Sequence, residues 1–455
     1  MTFAPLRHAL PADLSLPHLA RRLSAYSAPL VWLDSGEAAE HGVSVLALGA
    51  EVLRESDPER FFVALRAGLN GGNRAPAEAG PFGEAQPRFG LGWALHLDYE
   101  FGLALLGLPG AAARSRALAI RVRAAVELDH RTGEVTLLAE TAAERDAWLA
   151  RHAADVTAAR LPEPVQPPQE RNVPGIGEVT WRHSDPEYAE LIRACQRRIV
   201  DGDAYVLCLT NEAVLADPHR DPLALYLRLR EGSPAHHGGL IQLPGPDGTP
   251  EALLSASPER FLAVAGDGRV STVPIKGTRP RSTDPEQDDA LAAELAASEK
   301  ERAENLMIVD LVRNDLSRVC VPGSVRVGRF LAVETYRHVF QLTSTVFGQL
   351  APGLDALDAV RSAFPAGSMT GAPKRRATEI LGELERGARG GYSGAFGYLS
   401  HDGALDLAMV IRSIVLRDGL ARIGAGGGIT ADSVPEEEVA EVHLKAAALL
   451  GLLGA

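Results

Sequence analysis

Cysteine is scarce: Cys195, Cys208 and Cys320 are the only three in 455 residues, an odd number without Cys-x-x-Cys spacing. That leaves neither a disulfide framework nor a zinc site to propose, and it points to a reducing compartment. Basic charge is also short, with 46 Lys+Arg against 59 Asp+Glu and a formal net charge of −13. Phosphate-rich partners need a basic footprint, so nucleic acid and anionic membrane surfaces are excluded as partners. No stretch of about 18 uncharged apolar residues occurs, which removes a membrane-spanning helix. The start, MTFAPLRHALPADLSLPHLARRL, has no basic segment leading into a long apolar run, so no secretory leader is read there and the expected location is cytoplasmic. Internal repeats and low-complexity tails are lacking too. What the chain does have is bulk: 46% hydrophobic residues, in a length that allows two to four domains or one large fused body with ample core.

The clearest boundary is LPEPVQPPQERNVPGIG at 161–177, where five prolines and two glycines forbid regular helix or central strand. It divides an amino-terminal region, 1–160, from a carboxy-terminal region, 178–455. Before it, Leu30 to Asp34 and Val43 to Leu48 read as strands and Asn70 to Arg88 as a Gly/Pro/Ala-rich loop. The alternating run Leu118 to Leu128 and the strand Glu134 to Leu138 read as a hairpin through Arg131-Thr-Gly. After the boundary, Pro186 to Ile199 reads as an amphipathic helix, Tyr205 to Leu209 as a strand, and Pro285 to Arg318 as one long helix begun by Ser-Thr-Asp-Pro. Strands Ala395 to Ser400, Leu405 to Leu416 and Leu420 to Ala425 are joined by two Asp-Gly turns, a meander signal. Without regular βαβ alternation, the expected class is α+β with antiparallel sheets.

Several segments carry residues suited to chemistry. Arg412 interrupts the apolar strand face of Ala408, Val410 and Ile414, which admits either an internal ion pair or a fork for a substrate carboxylate. Gly426, Gly427 and Gly428 leave backbone N–H groups open to an anion, or form no more than a turn. Glu438, Glu441 and Lys445 then share one helix face. Their alternatives are a surface Glu441–Lys445 pair or two repelling carboxylates relieved by a divalent cation; Glu436 reads as the capping-box partner of Ser433. Glu304 lies where a charged helix face meets an apolar one. It is either solvated surface or, if it meets Glu441 in space, part of an Mg²⁺ site. Lys276 ends an apolar strand before a glycine, a place that can lower a lysine pKa and make the amine nucleophilic; a surface lysine in a basic turn is the alternative. Glu259 is either a general acid or the partner of Arg260.

Seven ordered segments carry a resemblance: SPERF, PIKGTRPR, AENLMIVDLVRNDLSRV, FPAGSMTGAPKRRATEIL, YSGAFGYLS, VIRS and AGGGITADSVPEEE, spread over roughly 180 residues from Ser257 to Glu438. Together they resemble the chorismate-utilising enzymes, among them the large subunits of anthranilate synthase and aminodeoxychorismate synthase, and the isochorismate and salicylate synthases. Lysine in PIKGT is similar to the aminodeoxychorismate synthase branch, where anthranilate synthases carry alanine. Isochorismate and salicylate synthases place a lysine where this chain has Val206, which cannot activate water.

The resemblance implies a large sandwich of antiparallel sheets wrapped by helices, with the amino-terminal region part of the same body. It implies Mg²⁺ held by Glu304 and Glu441, with Glu438 acting through water, to anchor the ring carboxylate of chorismate. Arg412, Tyr392 and the backbone of Gly426 to Gly428 would hold the enolpyruvyl carboxylate, with Lys445 adding charge. Gly277 and Thr278 would also line the substrate. Glu259 would protonate the leaving 4-hydroxyl, and Lys276 would attack C2 before ammonia enters at C4. Gln341 stands where many relatives have histidine and is assigned to positioning. None of the three cysteines sits on a Gly-rich nucleophile turn, so ammonia is expected from a separate glutamine amidotransferase subunit. No segment past Ala455 could house a lyase, so the expected product is 4-amino-4-deoxychorismate, on the way to 4-aminobenzoate and folate. Trp32-Leu-Asp-Ser-Gly36 and Gly232-Ser-Pro-Ala235 match the anthranilate-synthase tryptophan pocket poorly, so strong tryptophan inhibition is not expected. Anthranilate synthase component I and a non-catalytic chorismate-binding relative are the alternatives.

Overall fold

Strands Gly92–Leu97 and Ala117–Val122 are buried at every position, so each needs cover on both faces. The computed structural model supplies it with stacked layers, and it describes residues 3–36, 39, 41–69, 84–160, 178–216, 221–245, 249–336 and 339–455. The boundary at 161–177 and most of the loop at 70–88 lie outside these residues.

A twelve-stranded sheet runs in the order Leu6–Ala9, Val135–Ala139, Ala124–Asp129, Val43–Leu48, Leu30–Asp34, His237–Leu243, Glu251–Ser257, Ser413–Arg417, Leu420–Ile429, Val206–Ala216 and Gly371–Ala372, with Thr180–Trp181 pairing beside Val206–Ala216. A nine-stranded sheet runs Arg326–Val327, Val346–Gln349, Arg269–Thr272, Arg260–Val264, Leu405–Met409, Ala395–Ser400, Gly92–Leu97, Ala117–Val122 and Glu51–Glu55. The inner faces meet through Val31, Ile120, Ile241, Leu253, Phe396 and Val415. On the outer face of the larger sheet lie helices such as Asp185–Val200 and Pro435–Leu453, buried through Ile192, Val442 and Leu449. Helices Pro58–Ala67, Glu299–Ser317 and Ala356–Ala363 cover the smaller one through Phe61, Ile308 and Val360. A three-stranded sheet, Ile275–Pro280, Val339–Thr343 and Ala332–Thr335, stands apart. The architecture is α+β, an antiparallel sandwich flanked by helices. Residues on both sides of 161–177 share both sheets, since Trp32 pairs with Leu240 and Phe396 with His96.

Leu30–Asp34, Val43–Leu48 and the helix Asp185–Val200 lie where hydrophobic patterning puts them. Three other readings are corrected. The run Leu118 to Leu128 is two strands, because the chain leaves the nine-stranded sheet at Arg123 and enters the larger one. Leu405 to Leu416 is likewise broken between Met409 and Ser413, so Arg412 does not share a strand face with Ala408, Val410 and Ile414. The long helix is two helices, Pro285–Ala297 and Glu299–Ser317: Ser298 ends the first in extended conformation (φ −60°, ψ 109°) and caps the second by accepting from Glu301 N. The Asp-Gly turns hold. Asp418 and Gly419 both have positive φ, 55° and 70°, as a two-residue hairpin turn requires.

Beneath the end of the sandwich, Arg389 is buried over the ring of Tyr99 at 4.3 Å. Its guanidinium donates to both oxygens of Glu385 at 2.7 and 2.8 Å and to the carbonyls of Met369 (2.7 Å) and Cys208 (2.8 Å). Glu385 also accepts from Thr210 N and Oγ1. One ion pair therefore ties the end of helix Lys374–Leu384 to strand Val206–Ala216. Removing one partner strands a buried charge, so Arg389→Met should lower unfolding free energy by about 3–5 kcal/mol in urea titrations.

Candidate active site

Glu251–Ser257 belongs to the larger sheet and Arg260–Val264 to the smaller, so the chain changes sheets at Pro258-Glu259. It changes back at Val410 to Arg412, alongside. Met409 N donates to the carbonyl of Glu259 at 3.0 Å and Ala256 N to that of Arg412 at 3.1 Å, which fixes the two crossings to each other. Glu259 is thereby buried, 7% exposed. Burial raises its carboxyl above the ordinary carboxylate range, and the Lys276 ammonium and a hydrogen bond from Ser368 offset this only in part. The Arg260 alternative falls away, because Arg260 makes a bidentate pair with Asp406 at 3.0 and 2.8 Å. Arg412 is exposed at φ 51°, a costly conformation for a side chain-bearing residue. Among the described residues its guanidinium has no hydrogen bond or ion pair, so an internal ion pair does not explain it.

Lys276 and Gly277 form an irregularity in their strand: Ile275 pairs with Thr343 and Thr278 with Gln341. Gly277 takes φ 83°, and a Cβ there would come 2.7 Å from Leu295 Cδ1 and 2.9 Å from Glu301 Cδ. Glycine lets the two helices pack onto the strand and leaves Lys276 half-buried beside it. Burial disfavours its ammonium, but the carboxylates of Glu304, Glu259 and Glu301 outweigh that and hold its pKa above the ordinary lysine value. This corrects the expectation of a lowered pKa, which counted desolvation and not the carboxylates brought from other segments. Thr278 is exposed, while Gln341, its partner, is buried.

The three glycines are not a turn. Strand Leu420–Ile429 continues through them, and Gly426, Gly427 and Gly428 pair with Thr210, Leu209 and Cys208. Pairing with Ser413–Arg417 stops at Arg422, and among the described residues no other strand pairs with that side along the glycines. Their smallness is used: a Cβ at Gly427 would lie 2.8 Å from Glu438 Oε2, and one at Gly428 3.6 Å from Glu304 Oε2. Tyr392 is buried with its ring against Gly424, where a Cβ would lie 2.1 Å from Cγ. Lys445 Nζ reaches Glu441 at 2.6 Å and the Gly426 carbonyl at 2.7 Å. Glu438 accepts from Ser433 at 2.9 Å and lies 3.6 Å from Lys300. Glu436 is exposed and pairs with Arg193 at 3.1 Å instead of capping with Ser433, whose hydroxyl is taken by Glu438.

Burial raises the carboxyls of both Glu304 and Glu438, whereas burial of Glu441 is outweighed by Lys445 and its pKa is lowered. Among the described residues no three His, Cys, Asp or Glu side chains are gathered as a ready metal cage. Two desolvated carboxylates at an open strand nonetheless fit Mg²⁺, which takes one or two carboxylates and fills its shell with water and substrate oxygen. Sequence reasoning missed Lys300, the amine that faces Glu304, Glu438 and Glu441. Its spacing of four from Glu304 in one helix was the available signal. Ser368, bonded to Glu259, was also missed, although it lies in the segment FPAGSMTGAPKRRATEIL.

Residues 28–451 match the family of chorismate binding enzymes. The chain is 48% identical over 336 residues to aminodeoxychorismate synthase of Streptomyces pristinaespiralis, covering 72% of this chain and 45% of that protein. It is 47% identical over 374 residues to that of Streptomyces griseus, covering 80% and 50%. Anthranilate synthase component 1 of Streptomyces coelicolor is 46% identical over 269 residues, covering 59% and 51%. The chain thus spans about half the length of these relatives. Among solved structures, anthranilate synthase component I from Streptococcus pneumoniae superposes with a TM-score of 0.69 at 26% identity, over 93% of this chain and 91% of that one. The isochorismate synthase MenF of Escherichia coli gives 0.71 at 19%, over 99% and 94%, a likeness of fold.

The raised carboxyl of Glu259 has a measurable sign. The folded protein keeps this proton to higher pH than the unfolded chain does, so the associated stability is present below the ordinary carboxylate range and lost as pH rises through the folded value. Glu259→Gln removes the loss, at about 1.4 kcal/mol for each unit of the shift. Thermal unfolding should show the variant gaining on the parent between pH 4 and pH 8; a constant difference would contradict the buried-acid assignment.

Proposed function

Because the chain belongs to the family of chorismate binding enzymes, we propose that it aminates chorismate at C4 to give 4-amino-4-deoxychorismate. The observation that carries this reading is the half-buried amine of Lys276 set among the carboxyl groups of Glu259 and Glu304.

Lys276 rests as an ammonium and Glu259 has a raised affinity for a proton. Moving one proton from Lys276 to Glu259 leaves a neutral amine and a neutral acid, the two groups that allylic displacement needs. The amine bonds to C2, the two ring double bonds shift, and the C4–O bond breaks as Glu259 gives its proton to the oxygen, which leaves as water. Ammonia then bonds to C4, the double bonds shift back, and the C2–nitrogen bond breaks to restore neutral Lys276, the product keeping its amine as ammonium. The exposed guanidinium of Arg412 takes the enolpyruvyl carboxylate, and buried Tyr392 and Gln341 position the ring. Glu304 and Glu438, with Glu441 held by Lys445, are the residues that would bind Mg²⁺. When bound, that ion supplies the positive charge that neutralises the ring carboxylate.

The thiols of this chain are poor candidates for releasing ammonia from glutamine. All three are buried, and burial pushes Cys195 up to about 12, Cys320 to about 11, and Cys208 upward as well. A nucleophilic cysteine needs the opposite shift. The ammonia source proposed for this chemistry is a glutamine amidotransferase partner, not one of these thiols.

Incubation with chorismate, Mg²⁺ and ammonium chloride should give a product that becomes 4-aminobenzoate only after a lyase is added. Fluorescent anthranilate forming without lyase would overturn the reading in favour of amination at C2. Glu259→Gln should lower kcat by about 10²–10⁴-fold. With ammonia withheld, mass spectrometry should show a covalent adduct on the parent protein, and Lys276→Ala should abolish both that adduct and amination; full turnover by this variant would sink the lysine mechanism.

A further inference from the structure

The turn Thr430 to Val434 joins the glycine strand to helix Pro435–Leu453, so it sets where Glu438 and Glu441 stand. Side chains brace it from two directions. Gln196, on helix Asp185–Val200, donates from Nε2 to the carbonyls of Ala431 at 3.0 Å and Ser433 at 2.8 Å. From within the turn, the Ser433 hydroxyl, on a side chain buried with its residue at 7% exposure, accepts from Thr430 N at 3.1 Å.

A serine hydroxyl has one hydrogen to donate and two lone pairs with which to accept. The Thr430 N–H occupies a lone pair, which leaves the hydrogen free, and it goes to Glu438 Oε1 at 2.9 Å. The hydroxyl is not spent on capping the helix: Val434 is the residue in the cap position, and it offers no side-chain bond there. Ser433 thus couples the backbone of the turn directly to a carboxylate that is itself buried, at 4% exposure.

The two oxygens of that carboxylate have different surroundings. Oε1 is held by Ser433, while Oε2 is turned to the glycine strand, where a Cβ on Gly427 would lie 2.8 Å from it. Lys300 is the other group near Oε1. It stands at 3.6 Å with 56% of its side chain exposed, and an attraction of that kind, screened by water, does not fix a carboxylate in one orientation. A glutamate without a fixed partner samples several rotamers and must give them up when an ion binds. Hydrogen-bond partners that orient metal-binding carboxylates remove this cost, and losing one typically lowers metal affinity about 10–100-fold.

We infer that Ser433 is a positioning residue for the divalent cation: its hydroxyl holds Glu438 Oε1 and so keeps Oε2 available at Gly427. This rests on the reading that Glu304, Glu438 and Glu441 bind Mg²⁺, and it names the group that orders one of them before the ion arrives.

The test is calorimetric titration of MgCl₂ into the intact protein, without chorismate or ammonia. Ser433→Ala and Ser433→Gly both remove the hydroxyl without adding bulk, and each should weaken Mg²⁺ binding about tenfold. Ser433→Thr keeps the hydroxyl and should restore most of the affinity. Gln196→Ala loosens the same turn but leaves the hydroxyl on Glu438, and it should bind Mg²⁺ as the parent does. Circular dichroism checks that each variant is folded. Affinity unchanged in Ser433→Ala and Ser433→Gly would overturn the inference while leaving the metal reading intact. Equal losses in Gln196→Ala, or in Ser433→Thr, would also overturn it, because the shape of the turn and not the hydroxyl would then govern binding. A folded parent that binds no Mg²⁺ would overturn the metal reading itself and the inference with it.

Discussion

Two backbone hydrogen bonds hold together the place where the chain twice passes between sheets. Met409 N to Glu259 O and Ala256 N to Arg412 O tie one crossing to the other. A sandwich needs its two sheets held in a fixed relation, and a strand that leaves one sheet for the other does this covalently. At such a crossing the side chains no longer alternate between core and solvent, so a polar residue can face inward without disrupting a pleat. Glu259 and Arg412 occupy these positions, one a buried carboxyl and one an exposed cation with no hydrogen bond or ion pair among the described residues. Lys276, the glycine strand and the helix glutamates are then arranged around them.

Charge is balanced locally, against the sense of the whole chain. The protein carries thirteen more carboxylates than Lys and Arg side chains, yet Lys276, Lys300 and Lys445 interleave with Glu304, Glu438 and Glu441 at the site. Each ion is partly desolvated and would be costly alone. Burial raises two of the carboxyls, a sign that the three amines do not fully compensate the acidic set. In the proposed reaction a divalent cation and a dianion would enter together with little net change in charge, which surface charge counts do not reveal.

The sequence carried most of what is periodic or punctuated. Leu30–Asp34 and Val43–Leu48 were legible because alternation is local, and the Asp418-Gly419 turn because few residues adopt positive φ cheaply. The breaks were not legible. Nothing in Leu405 to Leu416 announces that Arg412 leaves one sheet for another, since both halves continue the same apolar pattern, and the Leu118 to Leu128 run hides its crossing at Arg123 in the same way. The electrostatics of Lys276 were out of reach for a different reason. Its neighbours Glu259, Glu301 and Glu304 come from two other segments, and only folding sets their distances. Family motifs supplied candidate site residues, while the helix break, the pairing of the glycines with Thr210, Leu209 and Cys208, and the position of Lys300 needed coordinates.

Ser298 has one more consequence. As the residue that closes one helix and caps the next, it sets the phase of everything that follows: Glu301 against Gly277, then Glu304 toward Lys276 and Gly428. A helix turns by about 100° and advances by about 1.5 Å at each residue. One residue gained or lost between Ser298 and Glu304 would swing the carboxylate to another side of the helix while leaving composition and apolar content almost untouched. The junction therefore acts as a gauge of length, and it tolerates substitution on its exposed side far better than any change in count.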